Sequence, residues 1–228
     1  MPQPTPIVFV IDADAAFREW IDDILVTKGW RPEIFASARD FLARPPAEAP
    51  SCLVLDANLP GLNGLELQKQ IAHERADMPI IFISGDGDIP TIVAAMRAGA
   101  FEFLIKPIAV NTLLGAVRQA IDYSHAALRE KAALQALKDC EASLSRRERQ
   151  VMALVTVGLL NKQVGGELGI TEFTVKAHRG RVMEKMKARS LAQLVAMNSR
   201  LHPASAAWPD APSTISSRRG ADLNGSSR

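Results

Sequence analysis

Acidic residues, a hydroxyl and a lysine stand where apolar runs of the chain give way to turns. Asp12 and Asp14 follow Ile7-Val8-Phe9-Val10-Ile11. Asp56 closes the run Ser51 to Leu55, and the turn formers Asn58, Pro60 and Gly61 come directly after it. Ser84 ends the run Pro79 to Ile83, and Lys106 ends Phe101 to Ile105 just before Pro107. Carboxylates gathered at one place repel one another and call for a cation, and hard oxygen donors with open positions suit Mg²⁺. A lysine beside a hydroxyl suits a second, anionic ligand, phosphate above all. An aspartate in that company is a nucleophile able to form an acyl phosphate while a metal shields the charge.

The elements that would bring these groups together can be read from the same runs. Five short apolar segments alternate with stretches of helical spacing, such as Phe17, Ile21, Ile24 and Leu25 before Gly29. Ser37 reads as the N-cap of a short helix, and a further helix is expected from Gly64 to Glu74. The strands are apolar throughout rather than alternating, which indicates a parallel sheet covered on both faces. In such a sheet every strand ends on the same edge, where open α/β sheets bind their ligands. The first block is therefore expected to be α/β, a five-stranded, doubly wound, flavodoxin-like domain over residues 1–123.

From Val110 the helical pattern continues past that domain, and no Pro or Gly interrupts Val117 to Ser143. Ala, Leu, Glu, Lys and Gln dominate, so residues 124–143 predict a long helical linker. The apolar residues do not sustain a heptad, which argues for a solvated helix over a coiled coil.

Charge divides the 228 residues sharply. Residues 1–144 hold 13 Lys and Arg against 19 Asp and Glu, a net of −6, whereas residues 145–200 hold 11 against 4, a net of +7. An acidic block followed by a compact basic one points to a polyanion as the second block's partner. Ser145 and Glu148 form a capping-box pattern. Asn161, Thr171 and Ser190 are expected to cap three more helices, the one capped by Thr171 running from Glu172 to Lys187. Two short helices joined by a tight Gly-containing turn make a helix-turn-helix, with the third helix of the block as reader. Val175, Val182 and Met186 recur at core spacing on that helix. This leaves Lys176, Arg179 and Arg181 exposed beside the small residues Ala177 and Gly180, a combination suited to a major groove. The second block is thus an all-α four-helix domain over 144–200. The Pro-, Ser- and Gly-rich residues 201–228 read as a disordered tail.

Other classes find little support. Cys52 and Cys140 offer neither a disulfide framework nor metal-ligand spacing. The chain shows no secretory leader and no apolar run of membrane-span length, so a cytoplasmic location without a membrane partner is expected.

Across residues 5–123 the chain resembles the receiver domain of two-component response regulators. The resemblance is carried by the acidic end of the first strand, Asp56 with Leu59-Pro60-Gly61 and Gly64, Ser84, and Lys106-Pro107. It implies that Asp56 accepts a phosphoryl group from a sensor histidine kinase, with Lys106 pairing the phosphoryl oxygens. Asp12, Asp56 and the main-chain carbonyl of Asn58 would hold Mg²⁺, and Ser84 and Phe103 would be switch residues. Receivers usually carry a second acid beside the first, as a direct metal ligand. Ala13 fills that position here, and Asp14 reaches the metal only if the loop bends. Weak Mg²⁺ binding is therefore expected, and a pseudo-receiver acting without phosphate is the alternative reading.

Residues 143–200 resemble the LuxR-type helix-turn-helix domain, through Leu144-Ser145, Glu148 and Val151, Gly158 with Asn161-Lys162, and Thr174-Val175-Lys176 with His178. With the receiver this implies the FixJ/NarL class, a transcriptional regulator and not an enzyme, homodimeric on activation and bound to promoter DNA. Lys176, Ala177 and Gly180 would then face bases. Thr174, His178, Arg179, Arg181 and Lys162 would meet phosphates or pack. A haloacid-dehalogenase-like phosphatase is the rival from another class. It would place a second, acidic Asp where Asn58 stands, and an amide cannot serve as that acid.

Overall fold

In the computed structural model, which describes residues 4–72 and 74–203, the five apolar runs become strands of one parallel sheet. These are β1 (Ile7–Ile11), β2 (Arg31–Phe35), β3 (Ser51–Asp56), β4 (Ile80–Ser84) and β5 (Glu102–Ile105), in the order β2-β1-β3-β4-β5. Their continuous apolarity has a direct cause, because alternate side chains enter two separate cores. Phe9, Leu53, Leu55 and Phe82 pack on one face with Phe41, Leu67 and Ala95. Val8, Val10, Val54, Ile81 and Ile83 pack on the other with Ile21, Leu25, Leu113 and Val117. The covering helices are α1 (Ala15–Thr27), α2 (Ala38–Ala43), α3 (Gly64–Ile71), α4 (Ile89–Arg97) and α5 (Val110–Ala142).

Local chemistry sets most helix starts. The Asp14, Ser37, Asn63 and Asp88 side chains each accept from a backbone N–H of the first turn. Helix α3 ends at Ile71, short of the expected Glu74 and at the last of its apolar positions. Past it, the Arg75 N–H still donates to the Ile71 carbonyl at 2.9 Å, and its guanidinium reaches back to the Arg44 carbonyl and the Phe41 ring. Helix α5 spans 33 residues, roughly 50 Å of helix at the usual rise. It passes unbroken through position 123, and no residue between Ser124 and Leu144 is buried. The two cysteines are free.

Residues 132–203 form a second compact unit. Beyond the end of α5 it contains α6 (Arg146–Thr156), α7 (Asn161–Leu168), α8 (Glu172–Lys185) and α9 (Leu191–Leu201) around Val151, Leu154, Val164, Val175, Val182 and Leu194. The turn between α7 and α8 is tight: Gly169 adopts a left-handed φ of 65°. A Cβ at Gly165 would meet the Ile170 carbonyl oxygen at 2.7 Å, so the crossing tolerates only glycine. Helix α8 ends at Lys185, two residues early, because Lys187 turns to a positive φ of 54°. Asn161 is not the α7 cap. Leu160 holds that position, and its N–H is satisfied by Gln163 Oε1 at 2.8 Å. The expected tail lies outside the described residues except for 201–203, of which Leu201 still belongs to α9.

The capping box at α6 is complete, and Glu148 also takes a 2.7 Å ion pair from Lys185 on α8. That pair, with the Ser145 N–H, pulls the buried Glu148 carboxyl down to about 2. A depressed carboxyl stabilises the fold fully above its ordinary value near 4.5, and the contribution disappears as pH falls toward about 2. Glu148→Gln should therefore cost about 2 kcal/mol at neutral pH and much less at about pH 3. Hydrogen exchange of the α6–α9 amides in urea, at both pH values, measures the difference.

Candidate functional site

Parallel pairing aligns the strand ends, with Ile11 beside Leu55, Asp56 beside Ile83 and Ser84 beside Ile105. Asp12, Asp56, Ser84 and Lys106 are thus delivered to one edge, around the point between β1 and β3 where the strand order reverses. Lys106 closes the group. Its Nζ lies 2.7 Å from Asp12 Oδ2 and 3.8 Å from Asp56 Oδ2, and 4.2 Å from the centre of the Phe17 ring. Asp12 is fully buried, and its second carboxylate oxygen accepts from the Asp14 N–H at 2.8 Å. Arg18 Nη1 donates to the Asp12 carbonyl at 2.7 Å, pinning the β1–α1 turn from below.

Asp56 is mostly buried, its side chain 14% exposed. Burial pushes its carboxyl above the ordinary value. The Asn58 N–H, donating to Oδ1 at 2.9 Å, and the Lys106 ammonium act against this, while the Asp12 carboxylate reinforces it. Ser84 Oγ donates to the Asp86 carbonyl at 2.7 Å, accepts from the Asp86 N–H at 3.1 Å, and lies 3.4 Å from Asn58 Nδ2. Phe103 is half-buried and stacked on Phe82, ring centres 6.0 Å apart. Gly64 is required by contact rather than conformation: a Cβ there would stand 2.9 Å from the Asp56 carbonyl oxygen and 3.0 Å from Phe82.

Ala13 contributes no side-chain donor, and Asp14 does not replace it. The Asp14 carboxylate faces solvent and caps α1, accepting from the Ala16 N–H at 2.9 Å. Among the described residues no group of three or more His, Cys, Asp or Glu is placed to hold a metal. The Asp12 and Asp56 carboxylates are left as side-chain donors. They fit an Mg²⁺ ion that retains several waters, and they do not form a closed cage.

In the second unit the reader helix splits as its spacing requires, with Val175 and Val182 buried and Lys176, Ala177, Gly180 and Arg181 exposed. Lys176 pairs with Glu172 one turn back at 3.4 Å. Thr171 caps the helix, and its hydroxyl lies 2.8 Å from that of Thr174. Arg179 turns toward α7 and donates to Asn161 Oδ1 at 3.1 Å, which is the use to which Asn161 is put. His178 is half-buried, and its Nδ1 has no hydrogen-bond partner among the described residues. Lys162 is exposed near the start of α7.

Comparison with known proteins agrees with this two-part arrangement. The response regulator receiver domain family matches residues 8–118, and the bacterial regulatory proteins of the luxR family match residues 142–198. Nodulation protein W of Bradyrhizobium diazoefficiens is 45% identical over 195 residues, covering 86% of each chain. The chain belongs to the LuxR-type two-component response regulators. Response regulator protein TodT of Pseudomonas putida is 40% identical, over 88% of each chain. Among solved structures, response regulator StyR is 42% identical with a TM-score of 0.78, covering 86% of this chain and all of the other. Full-length FixJ from B. japonicum is 37% identical with a TM-score of 0.53, over 88% of this chain and 98% of the other.

TodT and StyR are response regulators by name, and nothing in these matches favours the pseudo-receiver or the phosphatase. Within this response regulator, three features escaped the sequence. Phe17, which reads as an apolar position of α1, lies under the Lys106 ammonium, and Arg18 holds the Asp12 carbonyl; residue spacing shows neither contact. Phe173, 82% exposed at the start of α8, could have been found from its i, i+3, i+4 relation to Lys176 and Ala177.

The Lys106–Asp12 pair predicts a measurable asymmetry. Lys106→Met strands a buried carboxylate and should cost about 3–5 kcal/mol. Adding Asp12→Asn should recover most of that loss. Urea unfolding followed by Trp20 and Trp30 fluorescence reads both variants.

Proposed function

We propose that this response regulator carries a phosphoryl group on Asp56, received from a sensor histidine kinase, and that this controls binding of the α6–α9 domain to promoter DNA. The observation that carries the reading is the convergence of a partly exposed Asp56, the Lys106 ammonium and the Ser84 hydroxyl on one sheet edge. An Asp56 carboxylate oxygen attacks the phosphorus of the donor's phosphohistidine, the P–N bond breaks, and the phosphoryl group is retained as an acyl phosphate. Lys106, already within 3.8 Å of the acceptor, pairs a phosphoryl oxygen. The Asn58 N–H holds the acceptor carboxylate in place.

Asp12, Asp56 and the Asn58 carbonyl would hold Mg²⁺ weakly, because Ala13 offers no donor and the Asp12 carboxylate is engaged by Lys106 and the Asp14 N–H. The metal, when bound, neutralises charge between the carboxylate and the incoming phosphoryl oxygens. Ser84, released from Asp86, turns toward the phosphoryl group, and Phe103 follows inward against Phe82. Ile89, Val93, Met96 and Ile105 form an exposed apolar face on α4 and β5, and this face suits pairing with a second copy upon activation. A two-fold dimer matches DNA half-sites.

On α8, Lys176, Ala177 and Gly180 face bases. Arg181, Thr174 and Lys162 meet phosphates, while Arg179 and His178 position the helix against its neighbours. Residues 1–123 act as the receiver, 124–143 as linker and 144–200 as the output domain. The protein works in the cytoplasm, where kinase and DNA are both available. No helix among the described residues is long and apolar enough to cross a membrane.

The test is phosphorylation of the purified full chain by a small acyl phosphate, read by intact mass. Wild type should gain one phosphoryl group and Asp56→Asn none. Half-maximal yield should require millimolar Mg²⁺, and Ala13→Asp should lower that requirement about tenfold or more. Undiminished labelling of Asp56→Asn would refute the acceptor, and full labelling of wild type at sub-millimolar Mg²⁺ would refute the weak metal site.

A further inference from the structure

Residues 144–203 contain a single aromatic side chain, Phe173. A small helical domain ordinarily spends its largest apolar side chain on its core. Here the core is built from Val, Leu and Met, and Phe173 is 82% exposed, the most exposed large apolar side chain among the described residues. An isolated surface apolar residue carries little meaning by itself. The position of this one does.

Phe173 stands three residues before Lys176, four before Ala177 and seven before Gly180, so all four lie along one stripe of α8, opposite the buried Val175 and Val182. The stripe presents an aromatic ring, a cation and two small residues in sequence, and the ring is at the helix N-terminal end. In helix-turn-helix proteins that end approaches the base edges most closely. The backbone that carries the ring is firmly held. Thr171 caps the helix by accepting from the Thr174 N–H, and the close Gly165–Ile170 approach fixes the turn that precedes it.

We propose that Phe173 is a specificity-determining residue that packs on the 5-methyl group of a thymine in the major groove, a role that rests on the assignment of α8 to the DNA. The major-groove edge of a T·A pair displays that methyl, and apolar side chains read it by contact. Lys176 and Arg181 supply attraction that does not depend on the thymine methyl. Phe173 supplies preference for thymine at one position of each half-site.

The experiment starts from duplexes selected by the phosphodonor-treated full chain out of a random pool. The best duplex is then made in two forms, one with thymine and one with deoxyuridine throughout, which keeps the pairing and removes only the methyl groups. Wild type should bind the deoxyuridine form more weakly, by about fourfold per contacted methyl. Phe173→Ala should lose that share of the discrimination, and Phe173→Leu should retain part of it. The substitutions leave the core untouched, and circular dichroism verifies the fold. Lys176→Ala serves as the control for the underlying assignment and should weaken both duplexes alike. If Lys176→Ala weakens binding while Phe173→Ala discriminates thymine from deoxyuridine as wild type does, the thymine contact is refuted and the assignment of α8 stands. If neither variant alters binding to either duplex, both are refuted.

Discussion

A carboxylate removed entirely from water must be paired, and in this protein the pairing of Asp12 with Lys106 spans the edge of the sheet. The two residues are 94 positions apart in sequence and follow strands separated by β3 and β4. The lysine therefore reaches across the ends of both, passing Asp56 on the way. That span makes the ion pair a geometric constraint as well as an electrostatic one. It fixes the lysine above the acceptor, it occupies a potential metal ligand, and it holds the β1–α1 turn in a shape that sends the Asp14 carboxylate to the helix cap. Removing Lys106 would leave the fully buried Asp12 carboxylate without its ion-pair partner, which is why that single substitution is expected to be far more harmful than the pair replaced together.

Much of this was legible in the chain. The apolar runs that end in Asp12, Asp56, Ser84 and Lys106 dictate a parallel sheet, and a parallel sheet puts its strand ends together, so the convergence follows from pattern alone. The capping box at Ser145, the tight turn after Leu168 and the inward Val175 and Val182 are equally direct consequences of residue type and spacing. What the pattern did not contain is the competition among local partners. Asn161 has a capping side chain, yet its amide oxygen is more valuable as the acceptor of Arg179, and Gln163 satisfies the helix end from inside. Past Ile71, where α3 ends, the Arg75 side chain finds its partners in the Arg44 carbonyl and the Phe41 ring, far back in the chain. These choices depend on groups far apart in sequence, and no local window holds them.

The two halves of the molecule are stabilised by different means. Each unit pairs one buried carboxylate with a lysine, but the receiver buries two apolar layers on a sheet, whereas the α6–α9 unit has a modest core lacking aromatics. The aromatic residue that the core does without is displayed on α8, and the acidic and basic blocks keep kinase-facing and DNA-facing chemistry on separate units. Coupling between them is a matter of populations: a phosphoryl group favours one receiver conformation, and DNA affinity changes only as far as that conformation binds better.

The most direct measurement is the affinity of the full chain for a selected duplex, before and after phosphorylation by a small acyl phosphate, with Asp56→Asn in parallel. The expected result is a tightening of about tenfold or more for wild type and none for Asp56→Asn. Equal affinity of the two wild-type forms, with intact mass showing the phosphoryl group in place, would contradict control of the DNA-binding domain through Asp56.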